Sequence, residues 1–309
     1  MYMNPICKKE WKLSVRTKKL AIGLFAFNAI LSIIGLLVFW VSFSAEGANY
    51  AYINYVEIHY VYIIITAIEM ILVSFIIPSI TAGSIAGERE RQTLEILLTT
   101  KLTTWQIVWG KLISSISTTL LYVISGLPIF GVVFIIGGIE VVDILEIIVY
   151  IFVLAIYLGS IGIFFSSLLK KTIGASVCTY GIGILLSFGI FVILNAVYII
   201  LESQAYSAVT YVEPDIGHIT GLALLSPVYS VIALMTGQIG GSQLMEGMFS
   251  QKVPWCYFTP NSWFLTSIAI QLVVSVILLY IAAKRINPIK KAKVKKEKRS
   301  KKEEKSEPM

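Results

Sequence analysis

Glu88, Arg89, Glu90, Arg91, Glu95 and Lys101 crowd into one hydrophilic stretch, residues 84–104, between two long apolar runs. Interleaved with Thr93, Leu94, Leu97 and Leu98, these charges suit recognition of another protein surface. Charge pairs would set register and orientation, and the leucines would supply buried area. A plainer use of Glu88–Arg91 is to cap and solvate a helix end. Other chemistry-bearing groups are sparse. Glu69 is a carboxylate inside an otherwise uncharged run, a setting that demands protonation, a partner or contact with water. It either meets a cationic substrate or, protonated, hydrogen-bonds to a neighbouring helix. Ser115, Thr118 and Tyr122 belong to a polar series that also holds Ser114, Ser117, Thr119 and Ser125. Such a series lines a route for a substrate or lets helices pack closely.

No set of Ser, His, Asp or Cys suggests hydrolytic catalysis. Cys7, Cys178 and Cys256 fall in three different compartments of the topology below, so no disulfide framework or metal cluster follows from them. His218 stands alone beside Asp215 and is assigned no metal. The pair Gly110-Lys111 runs directly into the apolar Leu112, so it does not form a phosphate-binding loop. The chain is expected to bind no cofactor of its own.

The elements that carry these residues follow from composition. Of 309 residues, 57% are hydrophobic and 14% charged, with mean hydropathy +0.82, whereas soluble domains carry about 25% charged residues. Crossing ~30 Å of hydrocarbon takes about 20 helical residues. Six runs qualify: Leu20–Phe43, Tyr60–Gly87, Leu112–Ile139, Ile147–Leu169, Thr172–Leu201 and Pro254–Ala283. A seventh, Ile216–Met245, is diluted by His218, Pro227, Gln238, Gln243 and glycines.

Six spans place six basic residues of 1–19, four of 89–111, Lys170 and Lys171, and twelve of 284–309 on one side, with Lys252 opposite. The positive-inside rule then puts both termini in the cytoplasm. The net charge of +7 is therefore largely topology, with membrane lipid as the partner for exposed lysines and no role for nucleic acid. The fold class is all-α: a polytopic membrane protein with six transmembrane helices.

Residues 1–19 read either as a cytoplasmic interfacial helix, with Trp11 at headgroup level, or as the basic flank of span one. Asn28 in span one should face another helix. Glu88–Leu98 reads as one short amphipathic helix, with Leu94, Leu97 and Leu98 on one face. Glu88 can meet Arg91 or Gln92 along it, and Arg91 can meet Glu95. Gly83 and Gly87 would loosen its junction with span two. Thr103-Thr104-Trp105-Gln106 has the form of a capping box, and Lys111 is placed to snorkel to the interface. The exterior segment 202–261 should hold helices lying on the membrane or dipping partway into it. Non-helical backbone at such depth needs cover from other protein. The tail 284–309 is nearly all Lys and Glu and buries nothing.

Gly87-Glu88-Arg89-Glu90-Arg91-Gln92-Thr93-Leu94-Glu95-Ile96-Leu97-Leu98-Thr99-Thr100, with Gly110-Lys111 after it, resembles the signature of ABC-2-type transporter permeases. The opening Asn4, Pro5, Lys9 and Glu10 is similar to the start of many members. Gln92 departs from a usual Gly, and Lys101 from a common Pro. The resemblance implies a separate ATP-binding-cassette ATPase subunit that consumes ATP and Mg, and a second permease copy or homologue. It also implies a cytoplasmic coupling helix between spans two and three that enters a groove on the ATPase. Glu88, Arg89, Glu90, Thr93, Leu94, Glu95, Leu97 and Leu98 are carried over as that contact. The expectation is a plasma-membrane exporter of an amphipathic compound, peptide or lipid. The rival readings are a lipid-acting membrane enzyme and a non-transporting scaffold, and neither needs a docking stub.

Overall fold

The computed structural model describes residues 10, 16–44, 55–99, 102–136, 139–207, 221–239 and 260–286. The expected interfacial helix, except Glu10 and residues 16–19, lies outside them. So do the tail from 287 and two stretches of the expected exterior segment, 208–220 and 240–259. Ten α-helices are described: α1 Lys18–Ser44, α2 Tyr55–Thr81, α3 Gly83–Glu90, α4 Leu94–Leu98, α5 Thr104–Ile136, α6 Val141–Leu168, α7 Thr172–Ile184, α8 Ile190–Ser207, α9 Pro227–Ile239 and α10 Pro260–Ile286. A π-helical turn, Leu185–Gly189, joins α7 to α8, and a 3₁₀ turn, Gly221–Leu225, precedes α9. No strand occurs among the described residues.

Six of these stretches are long and apolar enough to cross a membrane, with α2–α3 forming one and α7–α8 another. The all-α, six-span architecture is thus present. The start of α5 matches its sequence signal. The Thr103 N–H donates to Gln106 Oε1 (3.0 Å) and the Gln106 N–H to Thr103 Oγ1 (3.3 Å), a reciprocal capping box. At the start of α6 the Glu140 N–H donates to the Asp143 carboxylate (2.8 Å).

Helix α6 is the hub, packing on α2, α3, α5, α7 and α10. Tyr150, Tyr157 and Ile151 on it are fully buried. The opposite case is span five, α7–α8, whose apolar window is only 11% buried and whose surface is therefore left for lipid or protein. Helix α1 packs on α2 and α5, where Asn28 Nδ2 donates to Ser125 Oγ (2.8 Å), so its amide does face a neighbouring helix.

In the half of the bundle away from α3 and α4, the 3₁₀ turn and α9 pack onto α10. Thirteen residues of helix reach roughly 20 Å, short of a crossing. Hydroxyls from the spans reach the carbonyls of the turn and of the first residue of α9. Tyr157 donates to Leu225 O (3.1 Å), Tyr150 to Pro227 O (2.9 Å) and Ser267 to Leu224 O (2.9 Å). Broken backbone among apolar helices is stable only with such cover.

Candidate functional site

The charged stretch forms two helices joined by a tight turn, where a single helix over Glu88–Leu98 was expected. Helix α3 prolongs α2 as far as Glu90, past Gly83 and Gly87, because protein packs on it there. Ile85 and Ala86 are fully buried, and both their N–H groups donate to Ser166 Oγ on α6 (2.9 and 2.8 Å). The chain turns at Arg91-Gln92 instead. The Gln92 N–H donates to Arg89 O (3.1 Å) and the Thr93 N–H to Glu88 O (2.9 Å). That pairing is a Schellman motif, whose penultimate residue adopts the left-handed conformation that favours glycine. Gln92 occupies it at φ 60°, the one positive φ among described non-glycine residues.

Glu88, Arg89 and Glu90 are each engaged within the chain, and their partners differ from those that helical spacing suggests. Glu88 Oε1 lies 2.8 Å from Lys111 Nζ on α5, and the same ammonium lies 2.8 Å from Glu10 Oε1. Lys111 is only 2% exposed. It does not snorkel outward, because the two carboxylates hold it inside the fold. Three separate parts of the family-like pattern, the opening segment, the stretch after span two and the Gly-Lys of span three, therefore meet at one ion cluster. Arg89 forks onto the end of α6, with Nη1 donating to Leu169 O (2.8 Å) and Nη2 to Ser167 O (3.0 Å). These are carbonyls that the helix end leaves unpaired. Glu90 accepts from the Thr172 hydroxyl (2.8 Å) and N–H (3.2 Å) at the start of α7.

Beyond the turn, α4 divides its apolar side chains. Leu94 is 8% exposed and belongs to the main core, with Leu97 and Leu98 packed half-buried against it. Arg91, Gln92, Thr93 and Glu95 are exposed, and Ile96 is 69% exposed. The leucines thus fasten the stub to its own bundle, while Ile96 is the large apolar side chain that α4 presents outward. Sequence reasoning passed over Ile96 because the three leucines gave the stronger facial pattern. It passed over Glu10 because one acidic residue in a basic flank carries no periodicity.

Of the residues considered for a substrate route, Glu69 and Tyr122 lie in the contact of α1, α2 and α5, while Ser115 and Thr118 are buried on α5. Glu69 is 1% exposed, and its Oε1 has no hydrogen-bond partner. A side chain placed on Gly126 would come within 3.4 Å of that oxygen. Ser115 donates to Lys111 O (2.9 Å) and Thr118 to Ser114 O (3.0 Å), both back along α5. Tyr122 is buried edge-on against Phe27, at 5.6 Å between ring centroids. Among the described residues no group of three or more His, Cys, Asp or Glu is placed to hold a metal.

No curated protein matches the chain. The family model described as "ABC-2 family transporter protein" matches residues 4–284. That match spans all six apolar crossings and the pinned stub between the second and third, and the chain belongs to the ABC-2 family of transporters.

Proposed function

We propose that this chain is the membrane subunit of an ATP-driven exporter and that the stub at residues 84–104 is its handle for a separate ATP-binding-cassette subunit. The observation that carries this reading is the division of labour along the stub. Glu88, Arg89 and Glu90 tie it to spans three, four and five, while Arg91, Thr93, Glu95 and Ile96 stay exposed beyond the turn. A push on α4 therefore passes into three spans at once instead of bending a loose loop. The docking surface comprises the exposed Arg91, Gln92, Thr93, Glu95 and Ile96. Glu88, Arg89, Glu90, Leu94, Leu97 and Leu98 act behind it as the rigid mount.

On this reading both termini and the stub face the cytoplasm, and the chain sits in the plasma membrane beside a second permease copy or homologue. ATP and Mg belong to the partner subunit. The cargo is an amphipathic compound, peptide or lipid, and movement is outward. Co-purification tests the docking claim. An ATPase subunit should be retained by the intact chain and by Leu97→Met, and lost with Ile96→Asp. Retention by Ile96→Asp contradicts it.

A further inference from the structure

A cavity of about 250 Å³ lies between α2, α6, the π-helical turn and α9. Its wall is apolar apart from Ser74 and Ser187, with Met70, Phe188, Val231 and Met235 among the rest. Phe188 and Ile71 on its border are each 40% exposed, so the space is reached from the apolar flank of the bundle. It is larger than the apolar cavity of about 150 Å³ that holds one benzene, and its opening on the flank leaves room for the rest of a longer guest outside it.

Ser187 lies on the edge of this space, with its Oγ shielded from it. Elsewhere among the spans, Thr81, Ser115, Thr118, Thr119, Thr179 and Ser275 spend their hydroxyls on the carbonyl four residues back. Ser187 sits in the π-turn and makes no such bond. It is 5% exposed, its Oγ has no hydrogen-bond partner, and its own carbonyl is taken by Ser226 Oγ (3.0 Å). Inserted π-turns of this kind occur often at functional sites. The Ser187 hydroxyl alone does not retain a water molecule, which needs two to four polar partners; Ser74 is the other polar side chain on the wall. Turned about its Cα–Cβ bond into the space, the Ser187 hydroxyl can donate to a single acceptor carried in by an otherwise apolar guest.

We propose that this cavity binds the acyl chain of an amphiphile, with the Ser187 hydroxyl donating to the ester or amide carbonyl that joins chain to headgroup. The proposal names the ligand class of the membrane part and deepens the functional reading above, on which its meaning for transport rests. Binding itself needs no ATPase, so the two claims fail separately.

The test uses the full-length protein in phosphatidylcholine nanodiscs. One probe is a phosphatidylcholine with a diazirine on one acyl chain. The other is a diazirine-bearing alkane of equal length without a carbonyl. Labelling by the lipid probe should concentrate on α2, the π-turn and α9. Ser187→Ala should reduce it several-fold while leaving alkane labelling unchanged. Ala67→Leu, which fills the space from α2, should reduce both, provided each variant keeps its wild-type elution volume. Labelling spread evenly over α1 and α8 overturns the site. Equal loss of both probes in Ser187→Ala, or no loss, overturns the carbonyl assignment. If labelling follows the prediction but no ATPase co-purifies, the cavity assignment stands and the exporter reading falls.

Discussion

Lys111 Nζ lies 2.8 Å from Glu88 Oε1, so the beginning of span three grips the end of span two. The ammonium is 2% exposed, whereas the Glu10 and Glu88 side chains are 30% and 29% exposed, although Glu88 Oε2 itself is buried without a partner. An unpaired charge left in such a position costs about 3–5 kcal/mol. The double variant Glu10→Gln/Glu88→Gln, which strands the ammonium, should therefore be the least stable member of this set. Either single carboxamide should cost less, and Lys111→Met should fall between, because both carboxylate side chains are part-exposed and can turn toward water more readily than the ammonium can. Apparent unfolding midpoints in detergent give the order. A double variant no worse than either single contradicts the cluster.

Gln92 stands where the Schellman turn favours glycine. Holding an L-residue in the left-handed region costs about 1–2 kcal/mol, partly offset in a glycine variant by greater freedom of the unfolded chain. Gln92→Gly should raise stability by roughly 0.5–1 kcal/mol. Gln92→Val should lower it, because a β-branched side chain is strained there. A fall in the unfolding midpoint of Gln92→Gly would count against the turn described.

Arg89 binds two carbonyls at the end of α6 with one planar fork, a geometry that lysine cannot reproduce. The bonds hold the α6–α7 junction next to Lys170 and Lys171. Limited trypsin digestion should cut there several-fold faster in Arg89→Ala, with Arg89→Lys intermediate. Unchanged cleavage in both variants would show that the fork does not hold the junction.

Span two crosses the hub helix at Gly162. A methyl group there would collide with the Thr81 side chain, while at Gly131 it would meet nothing within 4 Å. Overfilling a packed contact costs about 1–3 kcal/mol. Gly162→Ala should lower the apparent midpoint clearly and Gly131→Ala should not. Equal effects of the two changes, read by the same melt, speak against the close crossing.

Much of the fold was legible because lipid leaves so few options. Uncharged runs such as Leu20–Phe43 must be helical, and the Thr103/Gln106 capping box marked where α5 starts. The amide of Asn28 likewise had to find a helix neighbour, and it found Ser125. What the sequence concealed were long-range partners. Glu88 has Arg91 and Gln92 at helical spacing, yet it pairs with Lys111, 23 residues on, because the chain turns at Gln92 and brings α5 alongside. The three leucines of α4 announced an apolar face without saying whether it served the protein's own core or another chain. The unpaired hydroxyl of Ser187 lies in a π-turn that no local pattern marked.

The leucines and Ile96 now separate folding from docking. Leu94→Asp would place a charge in the core and unfold the stub, so its loss of partner binding would say little. Ile96 is exposed, and Ile96→Asp should keep the wild-type melting and elution behaviour. The direct measurement is retention of a nucleotide-hydrolysing subunit by affinity-purified full-length chain, with and without this substitution. The account predicts retention by the unaltered chain and loss, by at least tenfold, with Ile96→Asp. Equal retention by both, or none by either, contradicts it.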